Sequence, residues 1–226
     1  LLEHLEYHIL GNHLLENGFS LFFGGYYFKG LELYQKGKEL ISAELREQVL
    51  NDGAHFELSP MYHKIILLRL LDAYNLSKNN KDVYEDAAFE HFLLEKAKKM
   101  LGWLKAVTFS NGTTPRVNDS AEGIAPESKE LFDYAKRLGI KWESTELADS
   151  GYRFFNDVNV ELFVDFGKIG PGYIPGHAHS DTFSFVLNYK GNPFIVDPGI
   201  STYNIGYRRQ RERSTSSHNT VRYGKV

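Results

Sequence analysis

The chain has 226 residues, of which 42% are hydrophobic and 24% charged, which suits one large or two small globular domains. A net charge of −3 argues against general nucleic-acid binding, which relies on a basic surface, and the absence of cysteine excludes disulfides and thiolate metal sites. Sixteen Phe and fourteen Tyr make the chain rich in aromatic residues, a composition shared by sugar-binding clefts and plain β-sandwich cores.

Apolar residues at helical spacing predict a helical first half over residues 1–104. Leu1, Leu2, Leu5, Ile9 and Leu10 form one stripe, continued by Leu14, Leu15 and Phe19. A second runs from Leu31 to Leu50 and is interrupted by Gly37. Asn51-Asp52-Gly53 is a stop and Ser59-Pro60 a start, with Pro near the first helical position. The helix beyond it carries Ile65, Ile66, Leu67, Leu70 and Leu71, and another spans roughly 81–101. Such a series reads as a bundle or a toroid of hairpins. Residues 105–149 form a bridge containing one short helix near 127–138.

From residue 150 to 226 the period shifts to two, at Tyr152–Phe155 and at Val160–Phe166. Strands at 182–189 and 193–197 flank the turn Lys190-Gly191-Asn192. This half reads as antiparallel β, one sheet of a sandwich. There is no repeat of fixed period, no apolar run of transmembrane length and no signal-peptide pattern. The sequence opens without Met and closes at Lys225-Val226 after a strand-like segment, which reads as an excerpt of a longer protein.

The densest chemistry lies in Gly176-His177-Ala178-His179-Ser180-Asp181, followed by Val196-Asp197-Pro198-Gly199 and Ser217-His218-Asn219. On a strand, His177 and His179 share a face. Asp197 and His218 are candidates to join one of them around a metal, leaving the other for catalysis. A cupin-like site also uses His-x-His, but it wants a carboxylate shortly after, where Thr182, Phe183 and Ser184 stand. Nearer the start, Asn12, His13 and Glu16 are neighbours at helical spacing. Tyr62 falls in the first turn of a helix, where the dipole favours a lowered phenol pKa; the plainer reading is a core Tyr, with His63 as a cap. Arg208, Arg209, Arg211 and Arg213 read either as an anion site or as a structural salt-bridge network.

Asn-His-Leu-Leu-Glu-Asn-Gly, Asp-Gly-Ala-His-Phe-Glu-Leu-Ser-Pro-Met-Tyr-His, Gly-His-Ala-His-Ser-Asp, Val-Asp-Pro-Gly and Arg-Ser-Thr-Ser-Ser-His-Asn-Thr-Val occur in that order. Together they resemble the heparinase II/III-like polysaccharide lyases, a group that includes alginate lyases. The resemblance covers Asn12 to Val221. It implies an incomplete α/α toroid followed by an antiparallel β-sandwich, with the toroid's last helices in residues 1–104 and the first part of the sandwich in 150–226.

It also implies β-elimination on a uronate glycan. Asn12 and His177 would hold the uronate carboxyl group, Tyr62 would be base, acid or both, and His13 a second base. Glu16 would orient the Asn12–His13 pair, while Tyr203 and Arg213 would reach toward substrate and Asn118 and Asp119 would border the cleft. His179, Asp197 and His218 match ligands of a structural zinc ion. A periplasmic or secreted location and an acidic polysaccharide partner come with the resemblance. A simple hairpin would leave Asp197 opposite residues 184–186, so reaching His179 needs a bulge or crossover. The rival readings are a glycoside hydrolase pairing Glu16 with Asp119, and a carbohydrate-binding module without chemistry.

Overall fold

The computed structural model describes residues 2–224; Leu1 of the first stripe and the Lys225-Val226 end lie outside the described residues. Helices α1 (Gly11–Phe28), α2 (Leu31–Gln48), α3 (Pro60–Asn79), α4 (Ala87–Val107) and α5 (Ser128–Arg137) come first. Strands β1 (Tyr152–Asn156), β2 (Val160–Asp165), β3 (Phe185–Tyr189) and β4 (Asn192–Ile195) follow, and then a short helix α6 (Tyr207–Glu212). The strands form one antiparallel sheet in the order β1-β2-β3-β4. No helix among the described residues is long and apolar enough to cross a membrane.

The helix expected before residue 11 is absent. Leu10 and Gly11 both have positive φ, 63° and 55°, which stops helical hydrogen bonding there. Leu2 and Leu5 instead pack on buried Leu14, Leu21 and Leu40, so their spacing records burial rather than helix. Conversely, Gly37 does not break α2. Gly18 lies against Leu40 and Ile41, Gly25 against Tyr34, and Gly37 against Phe22, so α1 and α2 run antiparallel in close contact. A Cβ on Gly37 would come within 2.5 Å of the Phe22 nitrogen. The glycine is a packing position.

Much of the aromatic content is core here: Phe22, Tyr26, Tyr34 and Phe89 lie edge-on or tilted at centroid distances of 5.1–5.7 Å. Ser59 caps α3 by accepting from the Tyr62 N–H at 3.3 Å, with Pro60 opening the helix. Asp86 caps α4 through the Phe89 N–H at 3.0 Å, which starts that helix at Ala87 rather than near 81. α4 runs past residue 104, and α5 packs on α3 and α4, which places it in the helical layer.

A second core ties the layers together. Trp103, Val107 and Val117 pack with Tyr152, Phe163 and Val186 of the sheet. Beside it, buried Asp52 accepts hydrogen bonds from the Ala148 and Ser150 backbones and the Ser150 hydroxyl at 2.7–3.1 Å. The loops carrying the motifs cross this seam.

Candidate active site

The centre of the seam is Asp119, whose side chain is fully buried. Its carboxylate accepts from both Arg209 Nη atoms at 2.5 and 2.7 Å. It also meets His177 Nδ1 at 2.9 Å and His179 Nε2 at 2.8 Å. Burial alone would raise its pKa, but bonds from His177, His179 and Arg209 hold the carboxyl well below the usual range. An ionised Asp119 fixes each ring with its N–H toward the carboxylate.

His177 and His179 do not sit on a strand; they lie in the irregular segment before β3. That segment is held from several sides. Asn118 Oδ1 accepts from the His179 N–H at 3.0 Å, and the Asp119 N–H donates to the His177 carbonyl at 3.1 Å. The Arg213 guanidinium donates to the Ala178 carbonyl at 2.8 and 3.0 Å. The shared-face argument therefore fails, yet both rings still converge on one carboxylate through different nitrogens.

Against the His177 ring, at 4.1 Å between centroids, lies Tyr62. Its hydroxyl is 2.9 Å from that of Tyr203, whose ring faces the Arg209 guanidinium at 5.2 Å. The phenol pKa of Tyr62 is raised, not lowered: burial, with the nearby Asp119 and Glu57, outweighs the hydrogen bond from Tyr203 and the positive charge of Arg209. A cavity of about 510 Å³ opens beside this pair, lined by Met61, Ile65, Arg116, Ile124 and Ile200 among others. On the other side of His177, Glu57 Oε2 is 3.8 Å from Nε2, and the Asn12 backbone N–H bonds the Glu57 carboxyl. Asn12, Tyr62, His177 and Tyr203 thus belong to one neighbourhood.

Behind it is a second cluster. His179, Asp181 and His218 each offer a ligand atom within 4.8 Å of the others. The same residues each carry a buried atom without a hydrogen-bond partner: His179 Nδ1, Asp181 Oδ2 and His218 Nε2. Burial and the neighbouring Asp181 push the Asp165 carboxyl up to about 7. Two histidines and crowded buried carboxylates with orphaned atoms are the donor set a divalent cation satisfies, and imidazole with carboxylate suits zinc. Asp197 is not in that trio. It accepts instead at His218 Nδ1, 2.8 Å away, orienting the ring as an outer partner of a metal ligand does. The expected irregularity is present as a register shift between Leu187 and Asn188, and Asn219 spans the Phe185 and Val196 carbonyls at 3.0 and 2.8 Å.

Comparison with known proteins agrees with a helical region followed by a sheet. Residues 2–138 match the model of the heparinase II/III N-terminus, and residues 139–226 that of the heparinase II/III-like C-terminal region. The chain belongs to the heparinase II/III-like family. It is 27% identical to a heparin-sulfate lyase of Pedobacter heparinus, over 93% of this chain and 36% of the relative. A heparin-sulfate lyase of Bacteroides stercoris is 26% identical over 95% of this chain and 36% of the relative. The chain thus spans about a third of the length of these relatives. A crystal structure of a heparan sulfate lyase from Pedobacter heparinus superposes with a TM-score of 0.71 at 23% identity, covering 96% of this chain and 38% of that one. A heparinase III structure gives 0.68 at 19% identity, covering 95% and 39%. The fold is theirs: helical hairpins followed by an antiparallel sheet.

Within this heparinase-like frame several expected contacts are corrected. Asn118 and Asp119 do not line a cleft; both are buried, and Asn118 Nδ2 donates to the Leu58 carbonyl and to Tyr152. Arg213 is spent on the Ala178 carbonyl. Glu16 pairs with Arg69 of α3 at 3.2 Å rather than orienting Asn12 and His13. His13 is half exposed, 3.7 Å from Glu6. Asp119, saturated and buried, is not available as a hydrolytic partner for Glu16. Of the four clustered arginines, Arg209 is the one that reaches the site, and Arg208 pairs with Glu212. The sequence reading missed Glu57 and Asp181, and left Arg209 open between an anion site and the salt-bridge network that it joins. Asp181 stood two residues after His179, and a carboxylate at Asp119 needed a cation that the arginine cluster supplied.

Proposed function

We propose that the full-length protein is a polysaccharide lyase that cleaves a uronate glycan by β-elimination, with heparan sulfate the first substrate to try. The observation that carries this reading is the close, tilted Tyr62–His177 ring pair, with Tyr203 on the phenol and Asp119 on the imidazole. The names of the aligned relatives support the glycan class.

The C5 proton of a uronate leaves only if its carboxylate is neutralised, so that enolate charge is stabilised as it develops. In this reading Asn12 and His177 take that carboxylate, and Asp119 holds the His177 ring in place. Tyr62 transfers the proton, as base at C5 and acid at the O4 leaving oxygen. Burial keeps the resting phenol protonated, so the acid form is ready. For the base step Tyr62 first gives its proton to solvent, which the Arg209 charge favours; the phenolate then takes the C5 proton and delivers that proton to O4. His13 remains a proposed second base for the opposite C5 configuration.

A structural zinc ion belongs to the proposal, held by His179, Asp181 and His218 with Asp197 behind His218. Bound there, it would neutralise the buried carboxylates and pin the segment that carries His177.

The test is to incubate the full-length protein with heparan sulfate and follow ultraviolet absorbance alongside reducing ends. A lyase yields both signals. Reducing ends without the unsaturated chromophore would identify a hydrolase, and neither signal across a panel of uronate polymers would leave a binding module.

A further inference from the structure

Glu57 lies in the same loop as His55, ahead of Ser59-Pro60, and has no task in the proposed elimination. Its side chain is 2% exposed, and its Oε2 has no hydrogen-bond partner. That oxygen lies 3.8 Å from His177 Nε2 and 3.8 Å from His55 Nδ1. The other end of the carboxyl faces the start of α1, where a Cβ on Gly11 would meet Oε1 at 3.0 Å and the Asn12 N–H bonds the carboxyl.

The tautomer of His55 decides what Glu57 is. Gln48 donates through Nε2 to the Gly11 carbonyl at 2.8 Å and to Glu44 at 2.7 Å, so its amide oxygen is the acceptor that meets His55 Nε2 at 2.9 Å. His55 Nε2 is therefore the protonated nitrogen, and Nδ1 presents a bare lone pair. Burial, with nearby His63 and His177, keeps this ring neutral, its pKa lowered to about 3. A carboxylate at Glu57 would set two buried acceptors face to face. Both atoms are buried without a hydrogen-bond partner, and the carboxylic acid is the form of Glu57 that can donate to that lone pair.

We propose that Glu57 is a positioning residue, held as the neutral acid, that ties the backbone of Asn12 to the His55 ring beside His177 and leaves no fixed anion where the uronate carboxylate must sit. This rests on the lyase reading for its consequence, not for its chemistry. The groups facing Glu57 are His55 and the Asn12 N–H, His177 from the segment before β3, and Asp119 at longer range. Burial raises its pKa above the ordinary value, which agrees. Asp119 already holds His177 from Nδ1, and a neutral Glu57 leaves the other side of the ring free for the uronate carboxylate.

The experiment uses full-length protein with isotope-labelled glutamate, wild type against Glu57→Gln and Glu57→Ala. Infrared difference spectra at neutral pH should show a protonated carboxyl band in wild type that vanishes in Glu57→Gln. On heparan sulfate, Glu57→Ala should lose about 10²-fold in kcat with KM nearly unchanged, the scale of a small misplacement, and Glu57→Gln should restore most of it. A missing band overturns the proposal whatever the turnover, even where Glu57→Ala fails to fold. So does a Glu57→Gln variant as impaired as Glu57→Ala, since the isostere is neutral too. A band in a wild type that makes no unsaturated uronate supports the proposal and sinks the lyase reading alone.

Discussion

At Asp119 one carboxylate holds an arginine and two histidines, and the resting geometry of the site depends on it. Removing one partner of a buried ion pair typically costs about 3–5 kcal/mol, because the other charge is left uncompensated. Asp119→Ala should therefore fall in that range by denaturant unfolding; a loss below about 1 kcal/mol, the scale of an exposed pair, would remove it from the centre of the structure. Tyr62→Phe should keep the fold and lose about 10²-fold or more in turnover, the usual contribution of a positioned proton carrier. Activity within a few-fold of wild type would take Tyr62 out of the mechanism. Glu57 carries a pH signature of opposite sign to a salt-bridged acid. Its folded pKa is raised, so between the ordinary Glu value and the folded one only the folded state holds the proton. Stability should fall as pH rises through that window, and Glu57→Gln should flatten the slope in urea titrations. Tyr62 and the histidines were legible in sequence because their types are scarce and chemically loaded. Asp119 was misplaced as a cleft residue because burial is a property of the fold and leaves no mark on a short polar loop.

Among the elements, α3 and the strands were readable, since Ser59-Pro60 and period-two alternation are local signals. Residues 2–10 and Gly37 misled for one reason: spacing reports which residues are buried, not what backbone buries them. Tertiary contact with α2 ordered the first, and close approach to Phe22 explained the second. Gly37→Ala should then destabilise by about 1–3 kcal/mol through overpacking, although alanine is the better helix former. A stabilised variant in thermal melts would contradict the packing of α1 on α2. The segment before β3 was read as a strand, but its backbone bonds go to Asn118, Asp119 and Arg213 instead of a neighbouring strand. Such bonds come from residues distant in sequence and could not be counted from it.

For the molecule as a whole, the seam between helices and sheet places the proposed zinc site behind the proposed catalytic cluster, joined through His179 and Asp119. Elemental analysis should find about one zinc per full-length chain, retained in His177→Ala and absent from His179→Ala and Asp181→Ala. Asp197→Ala should weaken zinc about 10- to 100-fold without abolishing it, as loss of an outer partner does. Metal-free wild type, or zinc kept by all four variants, would reject that division of roles. Every role assigned to Tyr62, His177 and Asn12 depends on elimination, and isotope labelling distinguishes it from hydrolysis. Heparan sulfate is cleaved by the full-length protein in water enriched in heavy oxygen, and the products are weighed. Elimination breaks the bond without consuming water, so the account predicts unlabelled products, each pair totalling the mass of the parent, with one unsaturated uronate. A pair one heavy water above the parent mass, with no unsaturated uronate, would show hydrolysis and contradict the account.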